Sequence, residues 1–92
     1  MTYKIEIEKL LKEQDGELFK VTVSDDIQTV HTVSLTDSYL KNFLNKKKTL
    51  TSEELIEEAF LFLLAREPNT AILSSFDLQE IEKFFPEFKD IY

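Results

Sequence analysis

The sequence predicts a single α+β domain, with an N-terminal antiparallel β-hairpin or three-stranded sheet followed by two main helices and a shorter C-terminal helix. Apolar residues alternate with polar ones over much of 1–35, and they recur at helical spacing from position 36 onward. A length of 92 residues with one glycine and two prolines fits one domain with few loops. We expect a β meander over 1–35, a helix-loop-helix over 36–66, and a C-terminal helix and tail over 70–92.

The three predicted strands differ in how clearly the sequence marks them. Between Tyr3 and Leu11 the apolar side chains fit the spacing of a strand and that of a helix. We favour a strand there, because Asp15 and Gly16 form a strong hairpin signal and a clear strand follows over 17–24. The third strand is predicted over 29–35.

Start and stop signals delimit the two main helices. Thr36 can cap the first helix, because its side-chain oxygen can accept a hydrogen bond from a free backbone N–H of the first turn. The second helix begins with the capping box of Thr51 and Glu54. It is predicted to run to about Arg66, since the residue before Pro68 avoids helical geometry.

A third, shorter helix is predicted near the C-terminus. Leu78, Ile81 and Phe84 recur at helical spacing and would form one apolar stripe. Ser75 is the expected cap of this helix, and Pro86 is expected to end it.

The second half of the second helix, "AFLFLLA", is apolar on all sides and must therefore be covered on all sides. We expect the cover to come from a second copy of the chain or from the C-terminal segment. The first option predicts an intertwined homodimer, formed through the second helix and through the strand at 29–35. Its expected core residues are Val33, Leu35, Leu55, Ile56, Ala59, Phe60, Leu63 and Leu64.

Few residues of this chain could carry out chemistry. Cysteine is absent and there is one histidine, so neither a cysteine site nor a two-histidine metal motif can form. We expect His31 to be a partly buried residue at a sheet edge. The cluster of Glu53, Glu54, Glu57 and Glu58 is expected to be a solvated helix face and not a cation site. The sequence thus predicts a non-enzymatic protein with no catalytic residue, no cofactor and no metal.

Charge and hydropathy restrict the partners. The net charge is −7, and residues 53–92 contain ten acidic against three basic side chains, which would repel a phosphate backbone. The longest apolar run has seven residues, whereas a membrane span needs about 20. The N-terminal segment also lacks the continuous apolar stretch of a secretory signal. We expect a cytoplasmic protein with no membrane partner.

The run of Lys46, Lys47 and Lys48 has two interpretations. It fits a solvated loop whose cations compensate the C-terminal end of the first helix. It also fits a phosphate contact beside the N-terminus of the second helix, which is itself an anion-binding position. We favour the first interpretation.

The order of these segments resembles the ribbon-helix-helix family. The strand and helix "TVSLTDSYL", the loop "KKKTL" and the helix "TSEELIEEAFLFLLARE" carry the resemblance, over about 30–66. In that family two copies pair their strands into a ribbon that enters the DNA major groove, and the second helix forms much of the dimer core. The resemblance implies a nucleic-acid contact through Val30, Thr32, Ser34, Lys46, Lys47, Lys48, Thr51 and Ser52.

Three features of the sequence favour a use other than DNA binding. The ribbon positions hold Val, Thr and Ser, whereas direct base readout depends mostly on Arg, Lys, Asn and Gln. The domain is acidic. The strand at 17–24 should pair beside the ribbon strand, and the resulting sheet would be wider than a major groove of about 12 Å.

We therefore expect a small regulatory or adaptor protein that acts by binding another protein, whose identity the sequence does not give. The alternative is a ribbon-helix-helix-like repressor or antitoxin, with an acidic C-terminal segment that binds a partner. The aromatic residues near the C-terminus have two interpretations, since they fit the core and they also fit an apolar patch that contacts a partner. We favour the core, and the residues of the possible partner contact are Phe84, Phe85, Phe88 and Tyr92.

Overall fold

A computed structural model describes residues 2–92, so position 1 of the predicted meander lies outside the described part of the chain. Four strands form one mixed sheet in the order β1-β2-β3-β4. The predicted α+β class, with an antiparallel N-terminal sheet ahead of two main helices, is confirmed. The strands are β1 (Lys4–Lys12), β2 (Gly16–Ser24), β3 (Gln28–Thr36) and β4 (Ser75–Asp77), and the α-helices are α1 (Asp37–Leu44), α2 (Ser52–Leu64) and α3 (Ile81–Phe84).

The sheet contains one strand that the sequence analysis did not predict. β4 lies parallel to β3, with Phe76 opposite Val33. The prediction that Ser75 caps the third helix is therefore wrong, because Ser75 begins this strand. Asp77 caps the helical turn that follows, by accepting a hydrogen bond from the backbone N–H two residues further on. The turn is a short 3-10 segment that continues into α3.

Both main helices begin at the predicted caps. The Oγ1 atom of Thr36 accepts a hydrogen bond from the backbone N–H of Tyr39, over 3.2 Å. The capping box at the start of α2 is complete, since the Thr51 hydroxyl accepts from the Glu54 N–H and the Glu54 carboxylate accepts from the Thr51 N–H. These bonds satisfy donors that would otherwise have no partner within the helix.

The hydrophobic core lies between one face of the sheet and the helices. Alternate residues of β2 and β3 point into it, as the period of a strand requires. The C-terminal segment completes the core by covering α2: the ring of Phe62 lies 5.9 Å from that of Phe85 and 5.2 Å from that of Phe88, and Phe60 lies 6.1 Å from Phe76. The C-terminal segment, one of the two covers expected for α2, thus packs on this helix.

The residues predicted for the dimer core belong to the core of one chain. Seven of these eight residues are buried, and the eighth, Leu64, is half-buried against the same core. Side chains that are buried in this way offer no surface to a second copy. The homodimer stays a prediction, but it requires another surface. The seven buried residues are Val33, Leu35, Leu55, Ile56, Ala59, Phe60 and Leu63.

No helix among residues 2–92 combines the length and the hydropathy needed to cross a membrane.

Gly16 is needed where β2 begins, because the backbone of β3 approaches it closely. A Cβ atom at this position would lie 2.4 Å from the carbonyl oxygen of Leu35 and 3.0 Å from the Cα atom of Thr36. The carbonyl of the neighbouring Asp15 accepts the backbone N–H of Asp37, over 2.8 Å, so this turn also fixes the start of α1.

We predict that Gly16→Ala lowers the free energy of unfolding by about 1–3 kcal/mol, because the added methyl group forces the two strands apart. Urea denaturation monitored by circular dichroism measures the effect. Asp15→Ala is the control: it changes an exposed side chain of the same turn and keeps the backbone bond, so it should have a small effect. Equal stability of Gly16→Ala and the wild type would contradict the close approach.

Candidate functional site

An apolar groove of about 210 Å³ opens beside β4, between the end of α2 and α3; we call it the β4 groove. Its walls come from three parts of the chain. Leu63 belongs to the last turn of α2, Ile72 and Phe76 belong to the loop before β4 and to β4 itself, and Ile81 and Phe85 belong to α3 and its end. The groove therefore exists only because the C-terminal segment folds back over α2 and the sheet.

Exposed apolar side chains and carboxylates both line the β4 groove. Phe84 is 68% exposed and Leu73 is 53% exposed, although both belong to its lining. Glu67 and Glu80 line the same groove, so its apolar surface carries negative charge. Contiguous apolar surface that is rimmed by polar groups is typical of sites that bind another molecule.

A buried polar network holds the loop that forms one wall of the groove. His31 is 2% exposed, and its Nδ1 atom lies 2.7 Å from the carbonyl oxygen of Leu73. That carbonyl can only accept, so Nδ1 carries the hydrogen, and in the neutral ring Nε2 accepts from the Thr29 hydroxyl, over 2.8 Å. The Thr29 oxygen in turn accepts from Asn69 Nδ2, which also donates to the carbonyl of Ile27 over 2.8 Å. Hydrogen bonds at Asn69 and at Leu73 thereby connect the loop to β3 and to the turn before it.

The structure places His31 deeper than the predicted position at a sheet edge. Its ring packs against that of Phe60, with 5.5 Å between the centroids, and both of its nitrogens have hydrogen-bond partners. The geometry therefore gives His31 the role of positioning the groove wall.

Two further hydrogen bonds hold α3 and β4, which form other parts of the groove lining. The hydroxyl of Tyr39 on α1 donates to the carboxylate of Glu82 on α3. Burial of Tyr39 and this hydrogen bond raise the pKa of the phenol far above its ordinary value, so the hydroxyl keeps its proton and remains a donor. Ser34 Oγ donates to Asp77 Oδ2 over 2.8 Å and connects β3 to β4 beyond their backbone bonds.

The predicted partner contacts divide into two residues that line the groove and two that are enclosed. Phe84 is exposed and Phe85 is half-buried, and both line the β4 groove. Phe88 is fully buried, with its ring 5.7 Å from that of Phe43, so it belongs to the core. Tyr92 is half-buried, and its hydroxyl is enclosed without a hydrogen-bond partner among residues 2–92.

The strand residues predicted to contact nucleic acid lie in a strand whose edges are occupied. β3 pairs with β2 along its whole length and with β4 over 32–34. Over that stretch, which includes Thr32 and Ser34, no second copy can pair as the ribbon of the ribbon-helix-helix family does. Val30 and these two residues lie on the face of the sheet that points away from the core. The resemblance stays a prediction, and this pairing weighs against a DNA-reading ribbon.

The lysines predicted for phosphate contact lie on the helical side of the molecule. Lys46 Nζ is 3.7 Å from Asp90 Oδ1, and it donates to the carbonyl of Lys89 over 3.3 Å. Lys47 Nζ lies 5.6 Å from the centre of the Tyr92 ring, and Lys48 is exposed. Two of the three lysines thus contact the C-terminal tail. The lysines and the strand residues predicted to contact nucleic acid therefore do not share one surface.

Thr51 and Ser52 also have partners inside the chain. Thr51 caps α2, and Ser52 Oγ donates over 2.5 Å to Glu17 Oε1. The other oxygen of Glu17 lies 2.7 Å from Lys9 Nζ, so this buried carboxylate connects β1, β2 and α2. Burial alone would raise the pKa of Glu17, but the hydrogen bonds from Lys9 and Ser52 outweigh it and lower the pKa. The same contact raises the pKa of Lys9.

Within residues 2–92, no group of three or more His, Asp or Glu side chains is placed to hold a metal ion. Several groove residues escaped the sequence analysis, because they lie in the segment "ILSSF", which follows neither the period of a strand nor that of a helix. The feature of this segment that could have indicated a buried strand or loop is its three apolar residues close together: Ile72, Leu73 and Phe76.

Comparison of the chain with protein-family models, with curated proteins and with solved structures finds no match. A functional assignment therefore depends on the geometry of the groove and of the sheet.

We predict that acid weakens the fold partly through Glu17. Because the folded pKa of this carboxyl is lowered, its stabilising effect is present above the ordinary glutamate pKa of 4.5 and is lost as the pH falls through the folded pKa. Glu17→Gln should therefore be less stable than the wild type by about 1–3 kcal/mol at pH 7, and this difference should shrink below pH 4.5.

Thermal unfolding followed across the acidic range measures the difference. Glu13→Gln is the matched control, since Glu13 is an exposed carboxylate in the turn between β1 and β2. A Glu17→Gln deficit that stays constant with pH would contradict a charge-dependent role.

Proposed function

We propose that the protein is a non-enzymatic regulatory or adaptor protein that binds a segment of another protein in the β4 groove. The observation that carries this proposal is the combination of an exposed Phe84 with a preformed apolar cleft. A phenylalanine that is 68% exposed costs solvation free energy in the free protein, and a partner that covers it recovers that free energy. The groove walls are held by hydrogen bonds, so little ordering would be required on binding.

The chemistry of the groove favours a partner segment that is both apolar and basic. Its lining would take up one or two large apolar side chains, such as leucine or phenylalanine. Glu67 and Glu80 would attract a lysine or arginine next to that anchor, and the net charge of −7 would speed the encounter with a basic segment. An acidic segment would be repelled at the same place.

Glu80 is suited to this role because its position is fixed. Its Oε2 atom accepts the backbone N–H of Asp77 over 2.8 Å, as part of the capping box at the start of the C-terminal helical segment. The carboxylate is thus held at the groove, and it can accept a further hydrogen bond from a cation on the other oxygen.

A synthetic amphipathic peptide of leucine and lysine residues with one tryptophan is the probe that tests this proposal. Because the chain contains no tryptophan, emission from the peptide reports on binding without background from the protein. We predict micromolar binding, and a loss of about tenfold or more in affinity for Phe84→Ser or Leu73→Ser. Replacing the lysines of the peptide by glutamates should abolish binding.

Leu11→Ser is the matched control, since Leu11 is as exposed as Leu73 and lies in β1, at the opposite edge of the sheet from β4. It should bind the peptide as the wild type does. Equal affinity for the lysine and glutamate peptides, or unchanged binding by Phe84→Ser, would contradict the proposal.

A further inference from the structure

The sheet has two edges of very different length. At one edge β4 is three residues long and is flanked by helical turns. At the other edge β1 extends over nine residues, and residues 2–92 provide no strand that pairs with its outer side. A strand edge of this length presents a row of free backbone donors and acceptors, on which another strand can form a ladder.

The side chains of β1, and of Tyr3 directly before it, form two rows, because successive residues of an extended chain point to opposite faces. On the face away from the core, Lys4 and Glu6 are exposed and lie side by side, with 3.9 Å between Nζ and Oε1. On the core face, Tyr3, Ile5 and Ile7 are half-buried and pack against the core. The core row is thus apolar but incompletely covered at this edge.

These rows are complementary to themselves in one antiparallel register. When Ile5 of one copy faces Ile5 of the other, Lys4 of each copy faces Glu6 of the other copy. In the same register Tyr3 of each copy faces Ile7 of the other, so the apolar rows also meet. Opposite charges and aromatic–aliphatic pairs that face each other directly both stabilise antiparallel strands.

The neighbouring registers match less completely. Centring the pair on Lys4 places two lysines opposite each other. Centring it on Glu6 pairs Lys4 with Glu8 and Ile5 with Ile7, but it places two glutamates opposite each other and Tyr3 opposite Lys9. Centring it on Ile7 sets Glu6 against Glu8 twice. Directly opposed like charges destabilise a strand pair, so the register centred on Ile5 is favoured over the alternatives.

We infer that β1 is a self-association edge, on which a second copy of this chain adds its own β1 in the antiparallel register centred on Ile5. The two four-stranded sheets then form one eight-stranded sheet with the helices of both copies on the same face. The contact is short, so we expect a dissociation constant on the order of 10–100 μM. The β4 groove lies at the opposite edge of the sheet and stays open, so this inference does not depend on the proposed function.

Charge-exchange variants studied by sedimentation velocity test the interface. The wild type, with a chain mass of 10.8 kDa, should shift to twice that mass as its concentration rises through the expected range. Lys4→Glu alone sets two carboxylates against each other at both contacts, and Glu6→Lys alone sets two ammonium groups against each other, so each variant should be monomeric. An equimolar mixture of the two variants should dimerise again. In the mixed dimer the two carboxylates of one variant face the two ammonium groups of the other, so both contacts join opposite charges. Circular dichroism confirms that each variant is folded.

Glu8→Lys is the matched control, since it makes the same charge change on the same face of β1 but faces Thr2 in the proposed register. It should dimerise as the wild type does. A wild type that stays monomeric at millimolar concentration overturns the inference. So does dimerisation of Lys4→Glu alone to the wild-type extent, or a mixture that remains monomeric. Loss of the dimer in Glu8→Lys overturns the register, because it points to the pairing centred on Glu6.

Discussion

The requirement to cover α2 on all sides determines most of this structure. The second half of the helix is apolar around its whole circumference, and one face of a small sheet covers only part of it. The C-terminal segment supplies the rest: β4 adds to the sheet beside β3, and the aromatic residues that follow pack on Phe62, while Phe76 of β4 itself packs on Phe60. If this segment did not fold back, the core would be open and a second copy would be needed to close it.

The two proposed binding surfaces follow from how this cover is placed. The β4 groove forms where the covering segment leaves a gap between α2 and α3. A hydrogen bond from His31 fixes the loop at Leu73, and one from Tyr39 fixes α3 at Glu82. β4 also occupies one edge of β3, which leaves β1 as the long free edge of the sheet among residues 2–92. Because α2 is covered from within the chain, β1 and not the core is the surface that we propose for self-association.

Local signals in the sequence predicted the elements whose cause is local. The alternation in β2 and β3, the Thr36 cap and the capping box at Thr51 all depend on residues within a few positions of one another, and the structure contains each of them. β4 escaped prediction because three residues carry no period and because its pairing joins positions more than 40 residues apart. The sequence of α2 indicated that the helix must be covered on all sides, but it did not indicate which segment covers it. The groove escaped prediction for the same reason, since its walls come from segments that meet only after folding.

Nuclear Overhauser effects between aromatic rings test the intrachain cover of α2 most directly. In a mixture of isotope-labelled and unlabelled chains, a filtered experiment separates contacts within one chain from contacts between chains. If the C-terminal segment covers α2 within one chain, the contacts of Phe62 with Phe88 and of Phe60 with Phe76 occur within one chain only, at every protein concentration. Detection of these contacts between labelled and unlabelled chains would show that a second copy covers α2, and would contradict the account.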